Sequence, residues 1–90
     1  MKITGPRVTL REVPALITLG EAAIAAGDGE FDFTDVRSGD SSAVALLLRW
    51  KRKCVAKGVR FSVHSLPDSL KDLCRLYQVQ ALVGLPEQSR

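Results

Sequence analysis

Histidine occurs once in this chain, as His64, and cysteine twice, as Cys54 and Cys74. That scarcity leaves a thin repertoire for acid–base or nucleophilic catalysis. His64 closes a short alternating run with no Ser or Cys set beside it by spacing, so it reads as a structural histidine. Neither cysteine belongs to a C-x-x-C pair or stands at ligand spacing from the histidine. Both fall in apolar helical patterns and read as buried free thiols. No G-x-x-x-x-G-K-[ST] loop is present to cradle phosphates, and Gly27-Asp28-Gly29 reads as a turn. The expectation is a protein that is not an enzyme, with no metal and no cofactor. No apolar run approaches the roughly 20 residues needed to cross a bilayer. The opening residues, Met1 to Pro6, also lack the apolar centre of a secretory signal, and a cytoplasmic location is expected.

What is present is the composition of an ordinary globular protein, 46% hydrophobic and 26% charged in 90 residues. Such a length holds one small core, so a single domain over residues 1–86 is expected, with 87–90 a loose tail. The net charge of +3 hides an uneven distribution. Asp28, Glu30, Asp32, Asp35 and Asp40 crowd one stretch, with only Arg37 among them. Arg49, Lys51, Arg52, Lys53, Lys57 and Arg60 crowd the next. A basic run raises the question of nucleic acid. This one lacks the helix-turn-helix setting and the interleaved aromatics of readout modules. Cations late in a helix also complement its dipole. Nucleic acid is therefore not an expected partner.

Strand-like and helical patterns alternate along the chain. Ile3 to Leu10 is extended and broken around Gly5-Pro6. Pro14 suits a first helical turn, and Leu16, Leu19, Ala23 and Ile24 then recur at helical spacing until Gly27. Glu30-Phe31-Asp32-Phe33-Thr34 alternates as a half-buried strand does. A second helix starts near Ser41, with Asp40 or Ser41 suited to its N-cap, and stops at Lys57-Gly58. Val59 to Val63 alternates again. Leu66-Pro67-Asp68 opens a third helix striped by Leu70, Leu73, Cys74 and Tyr77, and Ala81-Leu82-Val83 follows as a short last strand. Strands joined through helices pair in parallel by crossovers, which predicts an α/β domain of about four strands with helices on one face.

On a helical wheel, Ala43, Leu46, Leu47, Trp50 and Cys54 share the side of the second helix assigned to the core. Ser41, Ala45, Leu48, Arg49 and Arg52 share the other. Small and apolar residues giving way to arginines suit a face that docks on another protein.

Phe31-Asp32-Phe33-Thr34, Asp40-Ser41-Ser42-Ala43, Leu46-Leu47-Leu48, Lys57-Gly58-Val59-Arg60-Phe61, Leu66-Pro67-Asp68-Ser69-Leu70 and Leu73-Cys74-Arg75-Leu76-Tyr77 together resemble the pattern of STAS domains. Within that superfamily the chain is most similar to the MlaB group, small cytoplasmic subunits of a Gram-negative ABC system that moves phospholipids between inner and outer membranes. The resemblance covers roughly residues 8 to 83. It implies a STAS-like sheet with helices on one face and a functional hydroxyl at Ser41, directly after Asp40. It also implies a non-enzymatic role: binding an ABC ATPase subunit (MlaF-like) and supporting assembly or activity of a phospholipid transporter. The protein would then be peripheral to the inner membrane through that partner, with no insertion of its own. Asp40, Ser41, Ala45, Leu48, Arg49 and Arg52 are the expected partner-binding residues. The alternative within the superfamily is an anti-sigma-factor antagonist, a switch that an anti-sigma kinase controls by phosphorylating Ser41. Two departures stand out. Ala43 replaces a common glycine, and Met1 starts close to the family's second strand, which leaves a sheet edge that a second copy could fill in a homodimer.

Overall fold

Asp40 is where the extended chain becomes helix. Its backbone is still extended (φ −118°, ψ −171°), and its side chain accepts a hydrogen bond from the Ser42 amide, satisfying a donor that has no partner inside the helix. In this computed structural model, which describes residues 1–79 and 81, the order is β1 (Arg7–Val8), α1 (Val13–Ala25), β2 (Glu30–Asp32), β3 (Ser38–Gly39), α2 (Ser41–Lys57), β4 (Ser62–His64) and α3 (Asp68–Leu76). Helix α2 ends at Gly58, whose φ of 68° is the left-handed conformation that favours glycine at a helix C-cap. Of the expected last strand, Leu82 and Val83 lie outside the described residues, as do the domain end at residue 86 and the tail 87–90.

Among the described residues all strand pairing is parallel. β1 pairs with β3, Arg7 opposite Ser38, and β2 pairs with β4, Phe31 opposite Val63. Among the described residues there are four strands, as two small sheets of two strands each, and one of the four, β3, was not expected. β3 carries no strand signal in the sequence, because Ser38-Gly39 has neither the length nor the alternation of one. A parallel bridge between Lys2 and Asp32 adds a neighbour to the free side of β2. The Ile3 amide donates to the Asp32 carbonyl at 2.8 Å, and the Asp32 amide to the Met1 carbonyl at 2.9 Å. The edge expected to be open at the N-terminal side is thus occupied by the chain's own first residues.

Alternation in β2 sorts its side chains: Phe31 and Phe33 are fully buried, whereas Glu30 is exposed and Asp32 half-buried. The helices cover the phenylalanine side. The other side is polar and borders an open hollow of about 510 Å³, lined in part by Lys2, Glu30, Asp32 and His64. α2 is the central helix, touching both α1 and α3. Its core side is the expected one, with Ala43, Leu46, Leu47, Trp50 and Cys54 buried, and Val44 is buried with them. Trp50 stacks on Phe31, ring centroids 4.1 Å apart, and so joins helix to sheet.

Two expected stripes are corrected. In α1 the buried residues are Val13, Gly20 and Ile24, while Leu19 is 56% exposed. Helix α1 turns Gly20 toward α2 because only a residue without Cβ leaves room for the Trp50 ring, and Leu19 is thereby rotated outward. In α3, Leu70 and Cys74 are buried but Tyr77 is half-exposed, since the helix has already ended at Leu76 and Tyr77 is its cap. Cys54 and Cys74 are free and buried, as expected, and burial raises both thiol pKa values. His64 is exposed, with Nε2 3.1 Å from a Glu30 carboxylate oxygen.

Candidate functional site

The two serines after Asp40 have different lives. Both the amide and the hydroxyl of Ser42 donate to Asp40 Oδ1, the amide at 2.9 Å. Ser42 is half-buried and bound into the cap, while Ser41 is exposed at the first position of the helix. Its hydroxyl is the one presented outward. The hydrogen bond from the Ser42 hydroxyl, followed by those from the Leu10 and Ser42 amides, holds the Asp40 carboxyl below its ordinary pKa, so a full negative charge stands beside Ser41 at neutral pH.

From Ser41 the outward face runs along α2. Ala45, Arg49, Arg52, Val55 and Ala56 are exposed, and Val55 is 68% so. Leu48 is half-buried and packs against the core cluster, so it contributes an edge rather than a whole side chain to this face. Arg49 stays exposed but leans across the surface toward α1, its Nε 2.8 Å from Glu21, and this bond lowers the Glu21 pKa. The structure thus brings Asp40, Ser41, Ala45 and Arg52 to one surface with the rim of Leu48, and it draws Arg49 toward α1. Val55 and Ala56 continue the surface. Their sequence signal was the spacing of Val55 from Arg52 and Leu48.

The basic residues late in α2 do not form one flat patch. Lys51 Nζ lies 5.7 Å from the centroid of the Phe61 ring, Lys53 is half-buried, and Arg52 points to the candidate face. A helix carries cations to all sides when they follow one another without a period, and these do. Among the described residues no group of His, Cys, Asp and Glu side chains is placed to hold a metal ion. Nor is any helix among them long and apolar enough to cross a membrane.

A second element meets the start of α2. The Leu10 amide donates to Asp40 Oδ2 at 3.2 Å, across 30 positions of sequence. Among the described residues Leu10 is the most exposed of the large apolar side chains, at 73%. It escaped the sequence analysis, although Thr9-Leu10-Arg11-Glu12 carries the spacing of a capping box. Half of the box forms: the Thr9 amide and hydroxyl donate to Glu12 Oε1 at 2.8 and 2.6 Å, while the Glu12 amide bonds the Thr9 carbonyl at 3.0 Å and the Thr9 hydroxyl accepts from the Arg11 amide instead.

No curated protein and no solved structure matches the chain. Residues 1–84 match the family described as Mlab, STAS domain, a span that takes in every strand and helix described above. With its parallel strands, its helices on one face and a hydroxyl-bearing start to its central helix, the chain belongs to the MlaB-type STAS-domain family.

Proposed function

We propose that this protein is a non-enzymatic subunit that binds an ABC-type ATPase at the inner membrane and supports assembly or activity of a phospholipid transporter. Domains of this family serve in general to bind rather than to catalyse. The observation that carries the proposal is the outward face of α2: exposed Ser41, Ala45, Arg52 and Val55 in line, where small and apolar residues alternate with arginine. A solvated helix face carries charge throughout, whereas a docking face keeps apolar centres and puts arginine at the rim.

Copurification tests this directly. Ala45→Glu and Arg52→Glu alter exposed side chains, so both variants should keep the circular dichroism spectrum and melting temperature of the wild type. Each should lose an ABC ATPase subunit that the wild type retains. Full recovery of the ATPase by both folded variants would overturn the proposal.

The switch reading is supported by one observation, the exposed Ser41 hydroxyl at a helix N-terminus, which a kinase could reach. Phosphorylation there would add about −1.5 to −2 of charge beside ionised Asp40. Intact-mass measurement on protein from its native host separates the readings. An increment of about 80 Da mapped to Ser41 and lost in Ser41→Ala favours the switch.

A further inference from the structure

We infer that the docking surface continues from α2 onto the turn between β1 and α1, with Leu10 as its apolar anchor and Asp40 as the residue that positions it. The inference rests on the proposed ATPase-binding role of the α2 face. Leu10 lies at the tip of the Thr9–Glu12 turn, and that turn is pinned three times. The Glu12 amide bonds the Thr9 carbonyl, the Glu12 carboxylate takes both donors of Thr9, and the Leu10 amide bonds Asp40. A leucine held 73% exposed on a fixed turn gains nothing for the fold from its exposure. It is arranged as binding anchors are, ordered before the partner arrives, so that little conformational entropy remains to be lost. The same Asp40 carboxylate caps α2 through Ser42, so Leu10 and Ser41 are set in register by one side chain.

Charge around the turn defines the partner. Arg7, Arg11 and Arg37 are all exposed, and none forms an ion pair among the described residues. Arg7 stands opposite Ser38, next in sequence to Arg37, and Arg11 is next to Leu10. The two carboxylates of the turn and the cap, Glu12 and Asp40, remain charged, but their oxygens take hydrogen bonds from Thr9, Leu10 and Ser42 and form no ion pair with these arginines. Around the turn the surface therefore offers one exposed leucine, Leu10, beside the start of the α2 face, with the unpaired Arg7, Arg11 and Arg37 as its charged neighbours. It fits a protein surface that offers an apolar pocket bordered by carboxylates.

The test measures the affinity of purified variants for the ATPase subunit that copurifies with the wild type. Leu10→Ser should weaken binding at least tenfold with an unchanged melting temperature, the loss coming from a faster off-rate. Arg11→Glu should slow association and reduce its sensitivity to salt. Asp40→Asn keeps an acceptor for the Ser42 amide but offers no second acceptor to Leu10, and should reproduce part of the Leu10→Ser loss. Leu19→Ser, which removes another exposed leucine, should bind as the wild type does. Wild-type binding that survives Leu10→Ser would overturn this inference alone, and so would an equal loss in Leu19→Ser. If the wild type binds no ATPase subunit, the proposed function falls, and this inference with it.

Discussion

Gly20 and Trp50 occupy one space: a Cβ built on Gly20 would lie 2.1 Å from the indole Nε1 of Trp50. The indole cannot yield, because its other side is stacked on Phe31 and the whole residue is at 0% exposure. The close approach also leaves the indole N–H without a hydrogen-bond partner, a cost on the order of 1–3 kcal/mol that the packing of α1 on α2 and of Trp50 on Phe31 offsets.

Gly20→Ala should accordingly destabilise the protein although alanine is the better helix former. The propensity gain is about 1 kcal/mol, and overpacking a closed core costs typically about 1–3 kcal/mol or more. Urea unfolding should show a net loss. Trp50→Phe in the same chain should recover part of it, because the smaller ring frees the space, and a strictly additive pair of substitutions would refute the steric account.

The serines of the α2 cap should separate by stability. Ser42→Ala removes a hydroxyl bonded to Asp40, and Asp40→Ala removes the cap itself. Asp40→Ala is expected to lose about 1 kcal/mol, Ser42→Ala less, and Ser41→Ala almost nothing, since its side chain is exposed. Chemical denaturation of the three variants checks the order. In partner binding the order should reverse, with Ser41→Glu more damaging than any change at Ser42.

Acid should release the Leu10 turn. Because hydrogen bonds in the folded state favour the ionised form of Asp40, its folded pKa lies below its unfolded one. The stability it lends is fully present above about pH 3.9 and is lost as the pH falls through the lower, folded value. The Leu10 and Ser42 amide resonances should titrate together, with a midpoint below that of an ordinary aspartate, and remain unchanged at neutral pH. Independent titrations of the two amides would show that one carboxylate does not hold both.

The thiols report on opening of the core. Cys54 and Cys74 are fully buried, and burial raises the pKa of each. Neither should react with a thiol reagent at pH 8 faster than the protein opens, and both should react promptly in denaturant. Burst labelling of either cysteine in the native protein would contradict this packing.

Much of the molecule was legible in the sequence, for identifiable reasons. Helix α2 has a short polar cap, an apolar stripe and a glycine stop, so the cap fell to Asp40 or Ser41, Trp50 to the core side and Gly58 to the end. Parallel pairing followed from strands separated by helices, and the likeness to STAS domains followed from the order of several short motifs. None of this required knowing what touched what. The direction each helix faces required it. Leu19 and Tyr77 fit their stripes by spacing, yet Gly20 faces Trp50 and α3 ends before Tyr77, because a neighbouring ring and a helix end decide rotation and length where periodicity cannot. The pairing of Ser38-Gly39 with Arg7-Val8 is likewise a matter of backbone meeting backbone across the fold. The same holds for the candidate face. Local sequence placed Ser41 at the start of a helix, but only tertiary contacts paired Arg49 with Glu21 across the surface and brought Leu10 to Asp40. Hydrogen bonds between residues far apart in the chain carry no periodic signal, and for that reason only the folded structure shows that one carboxylate holds both the turn and the helix.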